Sequence, residues 1–201
     1  MNGRESHAAF CGNSVCGGCS VEGRFTCRQN FGDVVDFMAP ATLYFLPAIG
    51  GMIAGGWGQA LAIWGALAAA FFLYVQQKLV CCRCPHYAGS KPFLTCHAAF
   101  GLPKFPRYSP RPLGRAGRIF LYAYSAVLFL WPFPLLAMSG QWLLFSVTGG
   151  ALLSWVWFVQ RRLCTRCINL FCPFNRVPQP LRNTLAGMGP TLAAAREPGA
   201  G

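Results

Sequence analysis

Residues 37–77 read FMAPATLYFLPAIGGMIAGGWGQALAIWGALAAAFFLYVQQ, with no charged side chain among them. One α-helix crosses the hydrocarbon core of a bilayer with about 20 apolar residues. This stretch has about 41, and its middle is Gly55-Gly56-Trp57-Gly58. Glycine lets the chain reverse there, and tryptophan suits the membrane interface. The stretch therefore reads as a helical hairpin with spans near 34–55 and 58–77. An apolar run of this length has no polar face to turn to water, which argues against a buried soluble core.

Residues 119–160 repeat the pattern over about 42 residues, broken by Met138-Ser139-Gly140-Gln141 before Trp142. They predict spans near 118–137 and 142–161. The expected fold is an all-α integral membrane protein. Its four transmembrane helices form two parallel-repeat helical hairpins with Cys-rich cytoplasmic loops. The expected divisions are a Cys-rich cytoplasmic segment (1–33), hairpin one (34–80) and a Cys/His/Pro-rich cytoplasmic loop (81–117). Hairpin two (118–163), a second Cys-rich cytoplasmic segment (164–185) and a disordered tail (186–201) complete the chain. Residues 1–33 have no apolar core of the kind that marks a signal peptide.

The composition agrees. Of the 201 residues 54% are hydrophobic and 11% charged, against about 25% charged in a soluble chain. The net charge is +12 and there are 11 cysteines. These figures exclude a soluble globular enzyme, a disordered basic tail and a small disulfide-stapled domain. All 17 Lys and Arg lie in the amino-terminal segment, between Lys78 and Arg118, or from Arg161 onward; neither hairpin turn carries one. By the positive-inside rule those three segments are cytoplasmic. The expected setting is the inner membrane, with both termini in the cytoplasm and anionic headgroups against the bases. Other membrane subunits or a second copy are candidate partners. No nucleic-acid-binding motif accompanies the charge, so a nucleic-acid partner is not expected.

The ends of spans two and four match. Gln77-Lys78-Leu79-Val80-Cys81-Cys82-Arg83-Cys84 aligns with Gln160-Arg161-Arg162-Leu163-Cys164-Thr165-Arg166-Cys167 at an offset of 83, as from residue 81 to residue 164. Applied at the turn, that offset carries Gly58 onto Gln141. An internal duplication is the simplest reading, with a pseudo-twofold axis along the membrane normal. It would bring the cytoplasmic ends of spans two and four together. Small residues should line the close approach: Ala62, Ala66 and Ala70, Gly150 and Ser154, and Gly51 and Gly55. Pro40 and Pro47, and Pro132 and Pro134, should kink the peripheral helix of each repeat.

Each repeat ends in C-x2-C followed by a third cysteine: Cys81, Cys84 and Cys96, then Cys164, Cys167 and Cys172. Cytosolic thiols stay reduced, so clustered cysteines there bind metal or react rather than form disulfides. Two thiolates at this spacing hold one tetrahedral ion from a single turn of chain, and a structural site wants four ligands. Cys81, Cys84, Cys164 and Cys167 would make such a site across the repeats. Cys96 and Cys172 would then pair with each other or with Cys82, His86 and His97. Zinc is the first expectation and iron the second, alone or as a [4Fe–4S] or [2Fe–2S] cluster. No histidine lies within the spans, so no haem is expected.

The amino-terminal set is Cys11-x4-Cys16-x2-Cys19-x7-Cys27. Its run Cys11-Gly12-Asn13-Ser14-Val15-Cys16-Gly17-Gly18-Cys19 resembles the cluster-binding loop of plant-type [2Fe–2S] ferredoxins. The resemblance implies that Cys11, Cys16, Cys19 and Cys27 ligate two irons and pass single electrons. A small zinc loop with the same four ligands is the alternative.

The function expected from the sequence is a cysteine-ligated metalloprotein at the cytoplasmic face of the membrane, serving as a redox subunit or a scaffold. A soft-metal-ion transporter is the first alternative; the scarcity of polar side chains inside the spans weighs against it. A quinone-linked thiol oxidoreductase is the second. No serine triad, P-loop or paired carboxylates occur, so an enzyme would have to work through cysteine or histidine.

Overall fold

A computed structural model describes residues 23–26, 31–89 and 91–187. Four helical spans are long and apolar enough to cross a membrane: Phe31–Ala54, Gly58–Arg83, Arg115–Met138 and Trp142–Arg166. They match the four expected spans. Spans two and four run further at the basic end because Lys78 and the Arg161-Arg162 pair end the apolar run without ending the helix. Among the described residues no strand forms, only an isolated bridge between Phe93 and Pro103.

Span one is a single helix, α1 (Phe31–Ala54), with Asp33 in its first turn, where a carboxylate meets the positive helix end. It passes through Pro40 and Pro47 without ending. The chain reverses at Gly56 (φ +75°) and again at Gly140 (φ +67°), a conformation that side chains disfavour. At each turn the next amide bonds five residues back, Trp57 N–H to Met52 O (2.9 Å) and Gln141 N–H to Leu136 O (3.0 Å). From Gly56 to Gly140 the offset is 84. Gly58 therefore opens its helix while Gln141 precedes one, and the 83-residue offset at the cysteines does not extend unchanged to the turns.

Span two comprises α2 (Gly58–Ala70), a π-helical turn (Phe71–Val75) and α3 (Gln76–Leu79). Span three splits at Trp131 into α4 (Arg115–Leu130) and α5 (Pro132–Met138). Span four is α6 (Trp142–Phe158) with its own π-helical turn, Val159–Leu163. A short helix α7 (Gln179–Ala186) lies beyond it.

Spans one and three form the inside of the bundle. In their apolar windows 28% and 22% of residues are buried, against 11% in each of spans two and four. The proline-bearing helices are thus central, not peripheral as the sequence suggested. The cause is aromatic volume. Tyr44 stacks on Trp155 (6.1 Å between ring centroids), and Phe129 meets Trp155 edge-on at 5.4 Å. These rings hold spans two and four apart. Ala62, Ala66, Ala70, Gly150 and Ser154 are accordingly exposed on the outer surface rather than between helices. Only Gly51 and Gly55 keep the expected role. A β-carbon at Gly51 would run into the Leu136 side chain, and one at Gly55 into Ser139 Oγ, so the α1 backbone lies directly against side chains of α5 and the turn after it.

Proline also frees carbonyls. Pro132 has no N–H for Leu128 O, its normal helical partner. The Trp64 indole N–H donates to that oxygen instead, at 2.7 Å. The Tyr44 hydroxyl donates to Phe129 O at 2.8 Å. In hydrocarbon no water can serve the Leu128 oxygen, so Trp64 of hairpin one completes the backbone of hairpin two there, and Tyr44 adds a donor at Phe129 O, whose helical partner Phe133 keeps its N–H.

Candidate cysteine centre

The second π-helical turn runs directly into its cysteine turn, whereas α3 separates the first from Cys81. Each motif forms a 3-10 turn, Cys81–Arg83 and Cys164–Arg166, that leaves the second cysteine extended. Cys84 has φ −80° and ψ 137°, and Cys167 has φ −78° and ψ 128°. The two turns are therefore near copies in backbone conformation. They are joined directly: Asn169 Nδ2 donates to Val80 O at 3.2 Å. Asn175 Nδ2 closes the second turn by donating to Cys167 O (2.9 Å) and Asn169 O (3.0 Å).

The matched glutamines anchor the loop and the tail beside the motifs. Gln77 is fully buried; it donates to Pro103 O (3.0 Å) and accepts from Phe105 N–H (3.3 Å). Gln160 accepts from Arg176 Nε at 2.9 Å. The central loop packs over the first motif, with Ser109 N–H bonded to Cys82 O and the Tyr87 hydroxyl to Pro106 O. Lys104 Nζ donates to Tyr87 O and Gly89 O, and burial lowers its pKa.

All seven described cysteines are free thiols. Six share one cluster. Cys84 is affected by the charges of Cys167, Cys96 and Cys81, and Cys172 by those of Cys167, Cys164 and Cys96. Cys81 in turn lies near Cys96 and Cys172. Cys96 and Cys172 are thus coupled electrostatically to members of both C-x2-C pairs. Burial, then mutual repulsion, raises the Cys84 thiol well above its ordinary value and the Cys96 thiol to about 12. Burial also raises Cys167 and Cys172. A backbone amide two residues on opposes this at each of the four: His86 N–H to Cys84, Ala98 to Cys96, Asn169 to Cys167 and Phe174 to Cys172. These amides favour the thiolate.

The other candidate ligands are engaged elsewhere. The Cys82 thiol donates to Lys78 O at 3.1 Å, back along its own helix. His86 Nε2 lies 3.3 Å from Thr26 O, and the His97 ring packs on Phe37 at 5.7 Å. The short segment Gly23–Thr26 docks here too: Thr26 N–H bonds Arg166 O, Arg166 Nη2 bonds Gly23 O, and Phe25 is buried. Cys11, Cys16, Cys19 and Cys27, and the tail beyond residue 187, lie outside the described residues.

Among the described residues no three Cys, His, Asp or Glu side chains converge tightly enough to ligate one ion as placed. The thiols are neighbours but not a closed coordination shell. Asn169, Asn175 and Gln77 were absent from the sequence expectations, although Gln77 stood in the matched motif. Comparison with family models, curated proteins and solved structures finds no match to this chain.

Proposed function

We propose that this is a membrane metalloprotein whose two hairpins are repeats and whose six clustered cysteines bind zinc or iron on the cytoplasmic side. Iron would make it a redox subunit, and zinc a scaffold. One observation carries the reading: the same amide-to-sulfur contact recurs at Cys84 and Cys167, which correspond at the 83-residue offset, and again at the third cysteine after each pair, Cys96 and Cys172. Packing alone gives no reason to aim four amides at four sulfurs. A metal-bound thiolate does, because it must be deprotonated and held in place. The matched backbone angles of Cys84 and Cys167 support the duplication. The cations from Lys78 to Arg118 and from Arg161 onward, with none at the hairpin turns, support the orientation. Binding draws the thiols together and releases their protons.

The test is anaerobic purification followed by elemental analysis and a visible spectrum. Iron with charge-transfer bands supports the redox role; zinc in a colourless sample supports the scaffold. Cys84→Ser and Cys167→Ser should each lower metal retention at least about tenfold, the scale for loss of a supporting ligand contact or more. Cys82→Ser should leave it unchanged. Metal-free protein from metal-replete cells, or equal effects of all three substitutions, would overturn the reading.

A further inference from the structure

Outside the cysteine cluster, a groove of about 1010 Å³ opens between α1 and α6. Its walls are mainly apolar and include Leu43, Leu153 and Trp157, but Asp36 and Gln160 also line it, at the basic end of the spans. Asp36 is exposed and is the sixth residue of α1, beyond the first turn in which the helix dipole would account for it. Beside Gln160 stand Arg161 and Arg162, both exposed. The groove therefore has an apolar length and one carboxylate at its mouth, and two exposed arginines follow in the chain from the Gln160 that lines it.

The backbone of the wall adds acceptors. Pro40 has no N–H for Asp36 O, and Pro47 none for Leu43 O, and all but Pro47 line the groove. In span three the matching loss at Leu128 O is filled by Trp64.

We propose that this groove binds a phospholipid with a primary-ammonium headgroup, of the phosphatidylethanolamine type. The ammonium donates to the Asp36 carboxylate, the phosphate sits against Arg161, and one acyl chain lies along Leu43 and Leu153. Charge complementarity selects this head. A phosphatidylglycerol offers Asp36 no cation, and the trimethylated head of phosphatidylcholine offers it no N–H. The binding is independent of any metal at the cysteines.

The test is native mass spectrometry of the full chain in detergent with equal amounts of dioleoyl phosphatidylethanolamine, phosphatidylcholine and phosphatidylglycerol. The ethanolamine lipid should be retained about fivefold more than either competitor, the scale of one interfacial charge contact. Asp36→Asn should bring it level with phosphatidylcholine, and Asp36→Glu should keep the preference. Because each ratio is read within one sample, a partly folded variant does not distort it. Equal retention of the three lipids, a preference for phosphatidylglycerol, or a preference that survives Asp36→Asn would overturn the proposal. So would an Asp36-dependent quinone co-purifying in place of lipid.

Discussion

Trp64 and Trp155 are both buried tryptophans in the bundle, yet their indoles differ in consequence. Trp64 donates to the carbonyl that Pro132 leaves open, whereas Trp155 Nε1 has no hydrogen-bond partner. Trp64→Phe removes a ring and a hydrogen bond; Trp155→Phe removes a similar ring and none. Orphaning a buried carbonyl costs about 1–3 kcal/mol. Thermal unfolding in detergent should therefore show Trp64→Phe less stable than Trp155→Phe by an amount on that scale. Equal midpoints would show that the Leu128 carbonyl finds another donor. Pro132 was visible in the sequence, but its partner was not. A freed carbonyl is a local fact of chain chemistry, while the donor that meets it lies 64 residues earlier and is fixed only by packing.

Among the elements, the two cysteine turns carry the pH dependence. Burial holds Cys96 at about 12 when folded, against an ordinary value of 9.0. A thiol whose pKa is raised by folding stabilises the fold fully below the unfolded value and loses that contribution as the pH climbs through the folded one. Metal-stripped protein should keep a constant melting midpoint from about pH 7 to pH 8, above the range in which the buried His97 takes up a proton on unfolding, and lose stability between about pH 9 and pH 12. Calorimetry across that range checks it; a midpoint that rises with pH would show the thiols to be ionised in the fold. The turns were legible because four of eight aligned residues, a glutamine, two cysteines and an arginine, recur at one spacing. The clasp that joins them was not: Asn169 lies two residues beyond the second motif, and nothing in its neighbours marks it as reaching Val80. The inside of the bundle was misjudged for a related reason. Small residues at every fourth position suit helix contact, but bulky rings on α1, α4 and α6 had already taken the interior.

For the molecule as a whole, the spans and the concentration of base at one end came from the charge map, because lipid imposes one rule on every residue it touches. The packing order of the spans did not, since four apolar helices can pack in several ways that hydropathy does not rank. The hairpins are also interdependent: α1 crosses α5 at Gly51 and Gly55, and Gln141 Nε2 donates to Gly51 O at 3.0 Å. Expressed as separate chains divided near residue 110, the second half should fail to accumulate alone and should be rescued by the first. Equal accumulation of the lone second half, read by immunoblot of membranes, would count against interdependence. The carbonyls of Leu128 and Phe129 give this a direction in time. A ribosome delivers Tyr44 and Trp64 to the bilayer before it makes the oxygens they serve. Synthesis in the native order means that hairpin two enters a membrane already stocked with its donors; a circular permutant that began at hairpin two would leave the Leu128 oxygen waiting in hydrocarbon.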